Sequence, residues 1–284
     1  MKPVAALAGL TLCALSVPAL AAQSSALVRY DLEAAPAWRV ELPADLAEVS
    51  GLAFTPDGRL LAHGDERAVV WRFDLASRRP AGRFGLSDQA GVLRGDFEDI
   101  AVVGERLFLV TGTGQIYEGR IAPDGQTTSA ARRTAGLGRG CEVEGMTWDG
   151  ATNSLLLLCK TTRTRQWKDQ VVILAVSVQT WRLEKEPRIL VSEKGLERVT
   201  GGKGFSGSGL ARHPRTGTFL LIAGPQQAFA EVSLAGEVLG GGRLDKDRHP
   251  QPEGIAVAAD LTLLISDEAA GKGAAAITAY ASRR

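Results

Sequence analysis

Carboxylates recur in this chain at positions that could do chemistry together. Five short phrases carry them: "EVSGLAF" (48–54), "DFEDIAV" (96–102), "EVEGMTW" (142–148), "SGSGLAR" (206–212) and "QPEGIAV" (251–257). Aligned on Gly51, Asp99, Gly145, Gly209 and Gly254, the preceding positions read Ser50, Glu98, Glu144, Ser208 and Glu253. Two residues earlier stand Glu48, Asp96, Glu142, Ser206 and Gln251. In an extended strand, side chains two apart point the same way, so one surface would gather six carboxylates. Like charges raise one another's pKa, and hard oxygen donors suit Ca²⁺ or Mg²⁺. The expectation is a site for a divalent cation or a cationic ligand, with Glu98, Glu144 and Glu253 as candidate metal ligands. Ser50 and Ser208 would complete the ring. Asp65, Glu66, Asp267 and Glu268, at the ends of second strands, add to it, and His63 is a candidate facing the same space. The competing reading is structural: each glutamate bonds backbone amides of a neighbouring unit, or pairs with Lys160, Arg94 or Arg139.

What positions such residues is a repeat. The reference positions lie 48, 46, 64 and 45 residues apart, close to the roughly 40–50-residue period of propeller blades. After each phrase come a turn ("TPDG", "DGATN", "HPRTG"), an apolar run ("RLLAHG", "RLFLVTG", "SLLLLC", "TFLLIAG", "LTLLIS") and an alternating strand ("AVVWRFDL", "GQIYEGRI", "VVILAVSV", "AFAEVSL", "AAITAYA"). A weaker fourth strand follows, as in "AGRFGL" and "RILVSE". Short strands bounded by turn signals are the all-β signature, and four per repeat make a blade. The long interval holds an extra loop, "TTRTRQWKDQ" (161–170). Five phrases predict a five-bladed β-propeller; six blades is the alternative, if one phrase has degenerated inside that interval. "ALVRYDL" (26–32) and "AWRVEL" (36–41) read as strands without a preceding phrase, and the last repeat lacks a fourth strand. The N-terminal strand is therefore expected to complete the last blade and cover its edge.

Residues 1–21 read as a signal peptide: Lys2, the apolar run "VAALAGLTLCALSV", then Ala19-Leu20-Ala21 as an A-x-A cleavage site. The run is too short to span a bilayer as a helix. Residues 22–284 then form a single propeller domain, exported to the periplasm or secreted, without a transmembrane segment and expected to be a monomer. A net charge of +1 with mixed signs offers no footprint for nucleic acid.

Beyond the leader the cysteines are Cys141 and Cys159. They bracket a predicted hairpin centred near Gly150, where antiparallel pairing sets them nearly opposite, so a disulfide is expected. Other motifs point to loops. "GFSGSG" (204–209) fails G-x-S-x-G, "GGKG" (201–204) lacks the Ser or Thr of a phosphate loop, and "GTG" (112–114) is a turn.

Taken in order, "EVSGLAFTPDGRLLA", "GDFEDIAVVGERLFLV", "EVEGMTWDGATNSLLLLCK", "FSGSGLARHPRTGTFLLIAG" and "QPEGIAVAADLTLLISDE" resemble the SdiA-regulated domain family (YjiK-like), exported bacterial β-propellers. Asp99 departs from the glycine of that pattern, and Gly207-Ser208 replaces its commoner Pro-Ser or Leu-Ser. The resemblance implies the fold and no reaction. More distantly, the chain is similar to gluconolactonase/regucalcin-like and esterase-like phytase propellers, whose channel carboxylates hold divalent cations. Glu144 in "VEGMTWD" looks like the first metal ligand of the former, but the later ligand words are missing.

Two functions follow. The first is an exported propeller that binds a small molecule or protein at an acidic channel mouth without catalysis. The second is a divalent-metal-dependent hydrolase of a phosphoester, ester or lactone, using water activated on a cation held by Glu98, Glu144 and Glu253.

Overall fold

The computed structural model describes residues 25–137, 140–271 and 273–283. The leader at 1–21 and Arg139 lie outside the described residues. Five four-stranded antiparallel blades surround one axis, forming a five-bladed β-propeller. Their innermost strands are Val49–Phe54, Phe97–Val103, Cys141–Asp149, Gly209–Arg212 and Pro252–Val257, each carrying one repeated phrase. Consecutive inner strands touch, and the last touches the first, which closes the ring.

Why the second strands carry unbroken apolar runs in their centres follows from this arrangement. Each blade is sandwiched between two others, so both faces are buried. In Ser154–Thr162, Leu155 and Leu157 pack towards blade 2, while Leu156 and Leu158 pack towards blade 4. The five hydrophobic clusters are the five blade-to-blade interfaces.

Closure uses Trp38–Glu41, which pairs antiparallel with Ala276–Tyr280 as the fourth strand of blade 5. The segment before it differs from expectation. Ala26–Arg29 is a 3-10 turn capped by Ser25, held by buried Glu231, which accepts from Ser25 Oγ at 2.6 Å and Leu27 N at 3.1 Å. Blade 1 also gains a strand, because Thr127–Ser129 crosses from blade 2 and pairs parallel with Arg79–Asp88.

The long interval between Gly145 and Gly209 holds two additions. One is the expected loop, with a 3-10 turn at Arg165–Trp167. The other is an α-helix, Glu193–Thr200, capped by Ser192 and ended by left-handed Gly201.

Cys141 and Cys159 are bonded, with Cα atoms 5.4 Å apart. Their register differs from a symmetric hairpin. Cys141 pairs with Thr162 and Val143 with Cys159, because the ladder shifts around Glu142–Gly145.

Candidate acidic site at the channel mouth

That shift recurs where the chemistry lies. The ladder skips Ser50 between Val49 and Gly51, Glu98 between Phe97 and Asp99, Glu144 between Val143 and Gly145, and Glu253 between Pro252 and Gly254. A bulge leaves one residue unpaired and re-aims its side chain. In four blades the re-aimed residue is the one just before the reference position. In blade 4 the strand starts at Gly209, and Ser208 Oγ donates to Pro252 O at 2.8 Å.

Glycine after the bulge has a packing cause. A Cβ on Gly209 would lie 2.5 Å from Glu253 O, and one on Gly145 would lie 3.0 Å from Leu210 N. The next blade's backbone passes too close for a side chain. Asp99 is the exception because its carboxylate fills the gap productively, accepting Ile100 N at 2.8 Å and Met146 N at 2.6 Å. It stitches blade 2 to blade 3. Burial pushes its pKa well above the usual carboxylate range.

Ser50, Glu98, Glu144, Ser208 and Glu253 line one cavity of about 310 Å³ with Asp65, Asp96, Glu142, Gln251, Glu268 and Lys160. Beneath it, one residue past each reference position, buried Leu52, Ile100, Met146, Leu210 and Ile255 form an apolar layer. Seven carboxylates thus face one cation over an apolar floor. Lys160 Nζ donates to Glu144 Oε1 at 3.1 Å.

The electrostatic consequence is proton retention. Burial, then Glu144 and Asp96, push Glu98 up to about 9. Burial, then Glu268 and Glu144, push Glu253 up to about 8, and burial with Asp65 and Glu48 brings Glu268 to about 7. Burial also raises Glu144, against the pull of Lys160. Burial works against the Lys160 charge but is outweighed by Glu144, Glu253 and Glu142, so its pKa rises.

Some expected members lie elsewhere. His63 is fully buried against Gly51 and Asp99 and does not line the cavity. Its Nδ1 donates to Gly64 O at 2.9 Å, and burial lowers its pKa to about 4, so it stays neutral. Glu48 and Glu66 line a neighbouring groove, and Ser206 a third cavity. Asp267 turns away into a buried chain: His249 Nδ1 lies 2.7 Å from Asp267 Oδ2, and His249 Nε2 lies 2.6 Å from the Tyr280 hydroxyl. Sequence reasoning missed this chain, since thirty-one residues separate His249 from Tyr280 and only blade 5 brings them together.

As arranged, the carboxylates surround a space and do not converge. Among the described residues no group of three His, Cys, Asp or Glu side chains is placed to hold one metal ion.

Solved structures of similar shape agree with the architecture. The chain is a β-propeller. It is similar to glutaminyl cyclase from Myxococcus xanthus (TM-score 0.57, 16% identity, covering 86% of this chain and 94% of that one). It is also similar to the PQQ-bound aldose sugar dehydrogenase from Streptomyces coelicolor (TM-score 0.54, 15% identity, 87% and 99% covered). A luciferin-regenerating enzyme matches at TM-score 0.53 and 11% identity, with 86% and 96% covered. Identities this low carry the fold alone. No family model and no curated protein matches the chain.

Proposed function

We propose that this propeller binds a cationic ligand in the acidic channel mouth, with Glu98, Glu144 and Glu253 as its main partners and Ser50 and Ser208 as polar neighbours. The observation that carries this reading is the imbalance of seven carboxylates and one lysine around one cavity. An arriving cation exchanges for protons held on Glu98 and Glu253, relieving repulsion that the apolar floor intensifies.

An organic ammonium fits better than a chelated ion. It can donate hydrogen bonds to separated carboxylates, whereas a chelated ion needs three donors at one point. Ca²⁺ or Mg²⁺ belongs to the same class only if held largely through its own waters. The metal-dependent hydrolase therefore ranks second. Residence outside the cytosol is part of the proposal, supported by the Cys141–Cys159 disulfide and the leader-like N-terminus. Among the described residues no helix is long and apolar enough to cross a membrane. Membership of the SdiA-regulated domain family is likewise proposed, on the order of the five phrases.

Thermal unfolding at pH 8 with methylammonium, Ca²⁺ and Mg²⁺ tests the reading. A melting temperature that rises with methylammonium, and less in Glu98→Gln or Glu253→Gln, supports it. No rise with any of the three refutes it.

A further inference from the structure

The interval that breaks the repeat builds the cavity that Ser206 lines beside the mouth. Gly145 and Gly209 are 64 residues apart, against 45–48 elsewhere. Two loop features of that interval meet in space: the 161–170 loop brings Trp167, and the "GFSGSG" segment brings Phe205 and Ser206. Together with Val171 and Cys159 they wall a cavity of about 220 Å³. Phe205 and Val171 are buried, and Trp167 is half-buried. Lys160 belongs to the walls of both this cavity and the acidic mouth, so the two adjoin.

Regular blades are constrained by packing against one another. Additions to a single blade on the functional face are free of that constraint, and loops held on a rigid scaffold carry selectivity. The chemistry of this addition is mixed. Lys160 is already paired with Glu144, and Lys168, Asp169 and Glu193 leave one net negative charge. That charge disfavours an anionic substituent, while the aromatic rings offer apolar surface. At about 220 Å³ the space is smaller than a complete small-molecule site of roughly 300–1,000 Å³; it has the size of one substituent.

We propose that this cavity is a side-arm subsite of the mouth, and that the ligand is a primary amine bearing an aromatic or branched aliphatic substituent. Its ammonium lies among Glu98, Glu144 and Glu253, and its substituent passes Lys160 to rest against Trp167 and Phe205. This rests on the cation-binding reading above.

Titration calorimetry at pH 8 with methylammonium, butylammonium and phenethylammonium separates the two. Phenethylammonium should bind the native chain at least about tenfold tighter than methylammonium, as expected from burying one ring. Trp167→Ala removes the wall, and Ser206→Leu fills the cavity. Each should bring the phenethyl-to-methyl affinity ratio close to one, and the second variant serves if the first does not fold. A ratio near one in the native chain, or one unchanged in both folded variants, overturns the subsite and leaves the mouth reading standing. Failure of all three amines to bind overturns the mouth reading and the subsite with it.

Discussion

Lys160 Nζ sits 3.1 Å from Glu144 Oε1, and it is the one cation in the wall of a cavity bearing seven carboxylates. This pair spans the hairpin of blade 3 beside the Cys141–Cys159 bond. It neutralises one glutamate and leaves Glu98 and Glu253 to hold protons.

Removing the lysine alone should therefore cost more than removing both partners. Lys160→Met is expected to destabilise by about 1–3 kcal/mol at pH 8, because a buried carboxylate loses its partner. Adding Glu144→Gln should recover most of that loss. Chemical denaturation of the two single variants and the double variant measures the coupling.

Proton retention sets a pH dependence with a definite sign. Glu98, Glu253 and Glu268 have folded pKa values above their unfolded ones, so the native state binds more protons than the unfolded state between about pH 5 and 9. Stability contributed by these groups is complete at the acid end and is lost as pH rises through the folded values. Glu98→Gln should flatten this decline and stabilise by about 1–3 kcal/mol at pH 8. Denaturant midpoints across pH 5–9 give the comparison.

Asp99 should matter through its acceptors. Asp99→Ala leaves Ile100 N and Met146 N without their carboxylate partner and should destabilise by about 2–4 kcal/mol. Asp99→Asn, which keeps one acceptor oxygen, should cost less. Equal losses in the two variants would contradict the inter-blade stitch.

The architecture was legible because period and type coincide. Gly51, Gly145 and Gly209 recur where the next blade's backbone leaves no room for a Cβ, Gly254 recurs where the Ser266 hydroxyl does, and the apolar runs record burial on both faces. The position of the acid ring along the strands was legible for a related reason, since in four of the five blades the bulged residue immediately precedes the reference position. Local context hid other features. Ala26–Arg29 reads as a strand but turns, because Glu231 takes its amide and Ser25 hydroxyl from a distant blade. The helix at Glu193–Thr200 is only eight residues long, too short for periodicity to announce, although Ser192 and Gly201 were signals for its caps. His63 ends a second strand next to Asp65 yet points into the blade interface against Asp99. Alternation along one strand could not reveal that without the partner blade.

The disulfide should contribute through the unfolded chain. It closes a loop of sequence separation 18, worth about 3 kcal/mol in the chain-entropy model. Cys141→Ser with Cys159→Ser should lower stability by about that amount. Because Cys141 adjoins Glu142 and Cys159 adjoins Lys160 in the chain, the reduced chain should also show weaker coupling between Lys160 and Glu144.

Proton exchange on binding is the most direct test of the mouth as a cation site. Titration calorimetry with methylammonium at pH 7, repeated in buffers of different ionisation enthalpy, reports the protons released per ligand bound. Cation binding that displaces protons from Glu98 and Glu253 should release between about 0.5 and 2 protons, and Glu98→Gln should lower that number. Binding without proton release, or no binding heat in any buffer, would contradict the assignment.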